Sequence, residues 1–222
     1  MRLFSTRLST LRLGKLRLIY LGFILRLMDL TPLLASFLMV MAAELGDKTQ
    51  LAVIALSSHR DALPVFTGGI LALLLVSGLG VVIGEALTMI IPMLMIRVAS
   101  AILFLASGAY TILSTGKEET EQTEKFGSKS VALSVFSIVA LMELGDKTQL
   151  AVIALAAECN MPLLVYAGAA TAFTVITGLG VLIGSRLLRL IPLRLVKLGS
   201  GVVFILFGIV FLLNAALSLL SV

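Results

Sequence analysis

Few charged residues and a single cysteine limit what this chain of 222 residues can be. Charged residues make up 13% of the sequence, about half the fraction of a soluble globular domain, and the mean hydropathy is +1.15. So few charges cannot cover a water-soluble particle of this size, which excludes a cytosolic enzyme, a disordered protein and a nucleic-acid binder. The lone Cys159 excludes a disulfide framework and any metal site built from several thiolates.

The chain is instead rich in long uncharged runs, and 59% of its residues are hydrophobic. A helix needs roughly 20 apolar residues to cross a bilayer core of about 30 Å. Four runs reach or nearly reach this length, whereas those starting at Leu30 and Ser130 reach it only by continuing through a charged cluster. We therefore predict an all-α membrane protein with six core transmembrane helices, at residues 32–56, 63–91, 93–114, 131–156, 161–190 and 193–220.

The six helices form two sets of three, because the sequence contains an internal duplication. The segment from Glu44 to Leu56 recurs without a change from Glu143 to Leu155, and matches continue through the following helices. Since each unit crosses the membrane three times, the second unit enters from the opposite side, as in the inverted repeats of many secondary transporters. We expect a basic N-terminal arm at 1–29, repeat 1 at 30–115, a charged linker at 116–130 and repeat 2 at 131–222.

The positive charge of the loops predicts the orientation of the chain. Loops on one side carry eight Lys or Arg residues and loops on the other side only Arg97, which predicts a cytoplasmic linker at 116–130. Three interpretations of the arm stay open: a signal-like anchor, an amphipathic helix at the interface, or a start codon assigned ahead of Met28. The expected location is the cell membrane, as a multi-pass protein of prokaryotic type.

Each repeat carries a cluster of ionisable residues deep in its first helix. Glu44 lies 12 residues after Pro32, about 18 Å into the bilayer at 1.5 Å per residue, and Glu143 is equally deep. Ionisable residues at this depth are costly and rarely face lipid, so we expect the two clusters to meet near the midplane. The candidate metal ligands are Glu44, Asp47, Gln50, Glu143, Asp146 and Gln149, with Lys48 and Lys147 as charge-compensating residues.

The charge of these clusters matches one divalent cation. Four carboxylates and two ammonium groups sum to −2 when all are ionised, and the motifs offer no thiol or imidazole that would favour Zn²⁺ or Cu⁺. Carboxylate, amide and hydroxyl oxygens suit Ca²⁺, Mn²⁺ or Mg²⁺. Crowded carboxylates can also hold protons when the metal leaves. A site that alternates between one divalent cation and two protons changes its net charge little, which is typical of an exchanger.

Thr49 and Thr148 are possible further site residues. In a continuous helix they point away from the acidic face, and they reach it only if Gly46 and Gly145 unwind the turn; the sequence leaves both cases open. A separate alternative is purely structural. In that interpretation each cluster is a Glu–Lys ion pair, four residues apart, that holds helices together and binds no ion.

The repeated segment Glu-x-Gly-Asp-Lys-Thr, present once in each repeat, resembles the signature of the Gdt-type cation exchangers, which are distantly similar to lysine-exporter-type permeases. The resemblance covers residues 32 to about 218. It implies export of Mn²⁺ and/or Ca²⁺ in exchange for protons, with the motif acids Glu44, Asp47, Glu143 and Asp146 as ligands. The cation is then the transported substrate, no cofactor is expected, and the protein is not an enzyme.

Two other functions stay open at this point. One is a permease for another cationic solute, such as a basic amino acid. The more remote one is an intramembrane aspartyl protease, because Leu-Gly-Asp occurs in its catalytic motif; here Glu44 and Glu143 stand where that motif needs glycine. Expected partners are the divalent cation, protons and the lipid bilayer, with no nucleic acid. The sequence does not choose between Mn²⁺ and Ca²⁺ or predict the oligomeric state.

Overall fold

The computed structural model describes residues 29–220, apart from gaps at 46, 114–130 and 191–192. The predicted arm up to residue 28 and the predicted linker at 116–130 lie outside the described residues. The described part contains these helices: α1 Thr31–Glu44, α2 Lys48–His59, α3 Ala62–Ile90, α4 Met93–Leu113, α5 Val131–Glu143, α6 Lys147–Cys159, α7 Pro162–Leu190 and α8 Leu193–Leu220. No strand occurs among these residues, so the predicted all-α class is confirmed.

Residues Pro32–Val222 form one packed unit, and Met1–Thr31 form a separate one. In the described part of the smaller unit, the backbone N–H of Thr31 donates to the Asp29 carboxylate at 3.0 Å. This bond satisfies one of the free donors at the start of α1.

Among the residues that the structure describes, four helices are long and apolar enough to cross a membrane, within Ala62–Ile90, Met93–Leu113, Pro162–Leu182 and Lys197–Leu220. They coincide with the second, third, fifth and sixth predicted crossings. Large apolar side chains cover their outer surfaces, among them Leu71, Leu75 and Leu79 of α3. Such a surface is what a helix bundle presents to lipid, and the chain is therefore an all-α membrane protein.

The first and fourth predicted crossings, 32–56 and 131–156, are each interrupted at the motif, which is one of the two cases that the sequence left open. Each consists of two helices separated by a three-residue break: α1 ends at Glu44 and α2 begins at Lys48, while α5 ends at Glu143 and α6 begins at Lys147. In the second break Gly145 has a φ of +83°, in the left-handed region that glycine enters without steric cost. Asp146 then returns to extended backbone, with ψ at 165°, before the next helix starts.

Glycines allow the long helices to approach the broken ones closely. A Cβ on Gly68 of α3 would collide with the backbone carbonyl of Ala132 in α5, and a Cβ on Gly168 of α7 would collide with that of Leu33 in α1. The two contacts are reciprocal, because each joins the second predicted crossing of one repeat to the first predicted crossing of the other repeat. This reciprocity agrees with a duplicated architecture.

The last helices of the two predicted repeats, α4 and α8, pack against each other. Phe104 of α4 lies with its ring centroid 5.3–5.8 Å from those of Phe204, Phe207 and Phe211. Nearby, Gly108 faces the backbone of Gly201, where an added Cβ would lie 2.7 Å from the carbonyl oxygen. Aromatic contacts and a close backbone approach therefore hold this helix pair together.

One partly buried polar contact ties three helices together. Arg97 of α4 donates from Nε to both carboxylate oxygens of Glu158 in α6, at 3.1 and 2.9 Å. Asn214 of α8 donates to the same carboxylate at 3.3 Å. The asparagine therefore forms an interhelical hydrogen bond, which in an apolar environment helps to hold the helices in register.

Candidate functional site

The acidic side chains at the two helix breaks lie close together. Glu44, Asp47 and Glu143 each offer a carboxylate oxygen, and these oxygens all lie within 4.8 Å of one another. Glu44 and Glu143 are each only 2% exposed. Three of the four predicted acids, drawn from both motifs, are thus brought to one point.

Threonine hydroxyls cross from each motif to the glutamate of the other. Thr49 Oγ1 donates to Glu143 Oε1 at 2.6 Å, and Thr148 Oγ1 donates to Glu44 Oε1 at 2.7 Å. Both threonines are buried in the first turn of the helix that follows the break. The sequence left open whether these threonines reach the acidic cluster. Because the helices are broken, both of them do.

The aspartates occupy the N-cap positions of α2 and α6 but do not cap these helices. Asp47 and Asp146 make no side-chain hydrogen bond to the backbone N–H groups of the turn they precede. An aspartate in this position normally makes such a bond. Its absence leaves both carboxylates available for other partners.

Lys147 binds those aspartates. Its Nζ lies 2.6 Å from Asp47 Oδ1 and 3.3 Å from Asp146 Oδ2. Its ion pairs thus join the two motifs, whereas the structural interpretation of the sequence paired each lysine with the glutamate of its own motif. Asp146 takes part in the site through this lysine and does not belong to the three-carboxylate group.

The two lysines that were predicted to compensate charge lie in different environments. Lys147 is partly buried beside the acids, with 23% of its side chain exposed, whereas Lys48 is exposed. The identical motifs are therefore not used identically. The two copies of the motif thus place their lysines at different depths, Lys147 partly buried and Lys48 exposed.

The glutamines are buried at the edge of the cluster. Gln50 is 6% and Gln149 9% exposed. Gln149 Oε1 accepts a hydrogen bond of 2.6 Å from the backbone N–H of Gly145. This bond satisfies a free donor inside the second break and holds its left-handed glycine in position.

Two small cavities of about 10 Å³ each, enough for about one water molecule, adjoin the glutamates. The first is lined by Glu143, Thr148 and Gln149 and also by Ser77 of α3. The second is lined by Glu44, Thr49 and Gln50 and also by Thr177 of α7. Leu73 and Phe173 line both cavities.

Ser77 and Thr177 were not among the predicted site residues. The signal that identifies them was present, because both stand in the duplicated segment Ser/Thr-Gly-Leu-Gly-Val at corresponding positions. A hydroxyl kept at the same position in both copies of a membrane helix is a polar group for which the membrane supplies no partner.

A family model for the divalent cation/proton antiporter GDT1 matches residues 32–119 and 131–218. The chain is 32% identical over 200 residues to a GDT1-like protein of Synechocystis sp., covering 82% of this chain and 96% of that protein. It is 29% identical over 204 residues to the chloroplastic protein PAM71 of Arabidopsis thaliana, covering 79% of this chain but 55% of PAM71.

A shorter match of 68 residues, 40% identical, joins 31% of the chain to 24% of the divalent cation/proton antiporter GDT1 of Saccharomyces cerevisiae. No solved structure gives a significant match to the chain. The family model spans both motifs and all the helices described above, and it agrees with the resemblance seen in the sequence. The chain belongs to the GDT1 family of divalent cation/proton antiporters.

Proposed function

We propose that this chain exports Mn²⁺ and/or Ca²⁺ in exchange for protons, through a site formed by the two Glu-Leu-Gly-Asp-Lys-Thr motifs. The observation that carries the proposal is the group of three carboxylates, Glu44, Asp47 and Glu143, whose oxygens lie within 4.8 Å of one another. Buried carboxylates repel one another at such distances unless a cation or protons accompany them. A group of this kind drawn from two separate helix breaks is therefore suited to cation binding.

The donor set favours a hard cation. The proposed ligands, all of which offer oxygen, are Glu44, Asp47, Gln50, Glu143, Asp146 and Gln149. Ca²⁺ takes six to eight oxygen ligands, and Mn²⁺ accepts an octahedron of oxygens. Thr49 and Thr148 orient the two glutamates by donating to one oxygen of each, which leaves the other oxygen available for the cation. Metal ligands are commonly held in place by such hydrogen bonds.

Lys147 acts in this scheme as a competitor of the cation. Its ammonium group lies 2.6 Å from Asp47, on a carboxylate that the cation would also bind. A cation that takes this oxygen weakens the Asp47–Lys147 pair, and Lys147 can favour release by returning to Asp47. The lysine thereby prevents the acidic cluster from holding a divalent cation too tightly to exchange it.

The proposed transport cycle uses the two halves of the chain as inverted repeats, 30–115 and 131–222. Helices broken at the membrane midplane, with a binding site at the breaks, are typical of such transporters. The reciprocal Thr–Glu hydrogen bonds and the reciprocal glycine contacts agree with this arrangement. We place the protein in the cell membrane with the linker at 116–130 in the cytoplasm, as its loop charges indicate.

Flux measurements on proteoliposomes test the proposal. Purified protein is reconstituted with an imposed pH gradient, and uptake of Mn²⁺, Ca²⁺ and labelled lysine is measured in parallel. We expect flux of one or both cations that depends on the pH gradient and is lost in the Glu44→Gln, Glu143→Gln double variant. Lysine uptake with no cation flux would support a permease for cationic solutes and contradict the proposal.

A further inference from the structure

Ser77 in the middle of α3 has a buried hydroxyl whose hydrogen-bonding capacity is not used. The residue is 2% exposed, and among the described residues its Oγ is the one buried side-chain oxygen or nitrogen without a hydrogen-bond partner. Proteins rarely keep such a group, because burial of an unsatisfied hydroxyl costs free energy. Where one persists, a ligand or a water molecule is the usual reason.

The other helical hydroxyls of this chain show how unusual Ser77 is. A serine or threonine inside a helix usually donates to a backbone carbonyl one turn earlier. Thr67 of the same helix does so to Leu63 at 3.0 Å, and Thr174 of α7 does so to Ala170 at 2.7 Å. Ser77 makes no such bond, so its hydroxyl does not serve its own helix.

Ser77 lines a cavity whose wall also includes Glu143 of the acidic cluster. Ser77 lines this cavity with Glu143, Thr148 and Gln149, and the space of about 10 Å³ suits one water molecule or one ion. Thr177, at the corresponding position of the other half, lines the second cavity with Glu44 and its neighbours. In both cavities, therefore, a hydroxyl residue of a long helix accompanies a glutamate of a motif.

We propose that Ser77 and Thr177 supply hydroxyl oxygens to the transported cation. Each of the two cavities beside the acidic cluster contributes one of these hydroxyls. The inference rests on the proposed function and adds two ligands, from α3 and α7, to those of the motifs. Ca²⁺ and Mn²⁺ need six or more oxygens, and each cavity otherwise offers one glutamate, one threonine and one glutamine. A hydroxyl from the facing helix helps to replace the water that the cation loses on entering the site.

The test compares Ser77→Ala with the wild-type protein in two measurements. In proteoliposomes we expect the KM for Mn²⁺ or Ca²⁺ to rise roughly 10-fold, the low end of what loss of a supporting group costs a metal site. In detergent we expect the Tm without added cation to be unchanged or higher, because the substitution removes no hydrogen bond. The rise of Tm on adding the cation should shrink, since a ligand that binds more weakly stabilises the folded protein less at the same concentration.

Matched variants separate ligand binding from helix packing. Thr177→Val should raise the KM in the same way, while Ser77→Thr, which restores the hydroxyl, should stay near the wild type. Thr67→Val and Thr174→Val are the controls on the same two helices. Their hydroxyls donate to the backbone of their own helix and line neither cavity, so the KM should not change.

Three results would overturn the inference. A Ser77→Ala protein with wild-type KM and wild-type stabilisation by both cations shows that the hydroxyl does not bind them. A lower Tm for Ser77→Ala without added cation assigns Ser77 a structural role, because the hydroxyl then stabilises the protein before any cation binds. If the wild type itself transports neither cation, the proposed function and this inference both fail. The wild-type measurement therefore distinguishes this case from a failure of the inference alone.

Discussion

Glu44 and Glu143 are buried carboxylates that each receive a hydrogen bond from the opposite motif. A glutamine in either place keeps the size of the side chain and still accepts the threonine hydrogen bond. It removes the negative charge, which a neutral amide cannot replace as a partner for a divalent cation. These two positions therefore allow charge to be tested separately from shape.

We predict that Glu44→Gln or Glu143→Gln lowers cation exchange by roughly 100-fold or more, because loss of a direct ligand costs more than loss of a supporting residue. Membrane insertion and the Tm in detergent should stay close to the wild type. Initial rates of Mn²⁺ and Ca²⁺ flux in proteoliposomes provide the measurement. Full transport by the double variant contradicts the assignment of these glutamates as ligands.

The difference between the two lysines gives a second prediction. Lys147→Met removes the positive charge beside Asp47, so the site becomes more negative and binds the cation more tightly. We expect a lower KM and a slower maximal rate, because release becomes the difficult step. Lys48→Met is the matched control and should change both constants less, since Lys48 is exposed. Equal effects of the two substitutions would contradict the asymmetry described above.

Sequence reasoning identified the acidic residues because an ionisable group deep in an apolar run has few harmless explanations. It could not decide the place of Thr49 and Thr148, since their orientation depends on whether the helix continues through the motif. It overlooked Ser77, because a hydroxyl in a helix usually bonds its own backbone. Only the three-dimensional packing reveals that this hydroxyl makes no such bond.

At the scale of helices, the two breaks are the feature that the sequence left undecided. A hydropathy pattern detects an apolar segment long enough to cross a bilayer, and 32–56 and 131–156 satisfy it. The pattern does not detect where a backbone N–H group leaves the helix and donates to a side chain. The break at Gly145 is held by Gln149, whose oxygen accepts the free N–H, so the local conformation depends on a side chain in the next helix.

We predict that Gly145→Ala lowers stability by about 1–2 kcal/mol, the cost of a left-handed conformation for a residue with a Cβ. No atom lies within 4 Å of the added Cβ, so the effect comes from the backbone and not from a clash. Gly199→Ala in α8 is the control: its Cβ also meets nothing within 4 Å, but its backbone is helical. Thermal unfolding in detergent compares them, and an equal or higher Tm for Gly145→Ala contradicts the prediction.

At the scale of the whole molecule, the charge of the site limits how the protein can exchange ions. The four motif acids and two motif lysines sum to −2 when ionised, which one divalent cation neutralises. Departure of the cation alone would leave this charge in a medium where uncompensated charge costs several kcal/mol. Binding of two protons restores the balance at little electrostatic cost.

We therefore predict almost electroneutral exchange, with about two protons entering for each divalent cation that leaves. The rate should fall when the outside is made alkaline, because fewer protons are available there to replace the cation. Proteoliposomes with a pH dye inside and an imposed potassium-diffusion potential test both points. Cation movement without an opposite pH change, or a rate that follows voltage instead of the pH gradient, indicates a uniporter or channel.

The crossed threonine–glutamate hydrogen bonds also affect biosynthesis. Their partners are 94 and 104 residues apart in the chain. At roughly 5–20 residues per second, the ribosome needs about 5–20 s after making Glu44 to deliver Thr148. During that interval the translocon must accommodate the first half of the protein while Glu44 still lacks its hydrogen bond from Thr148. The acidic cluster is therefore completed late in synthesis, and a chain released early lacks the threonine that donates to Glu44.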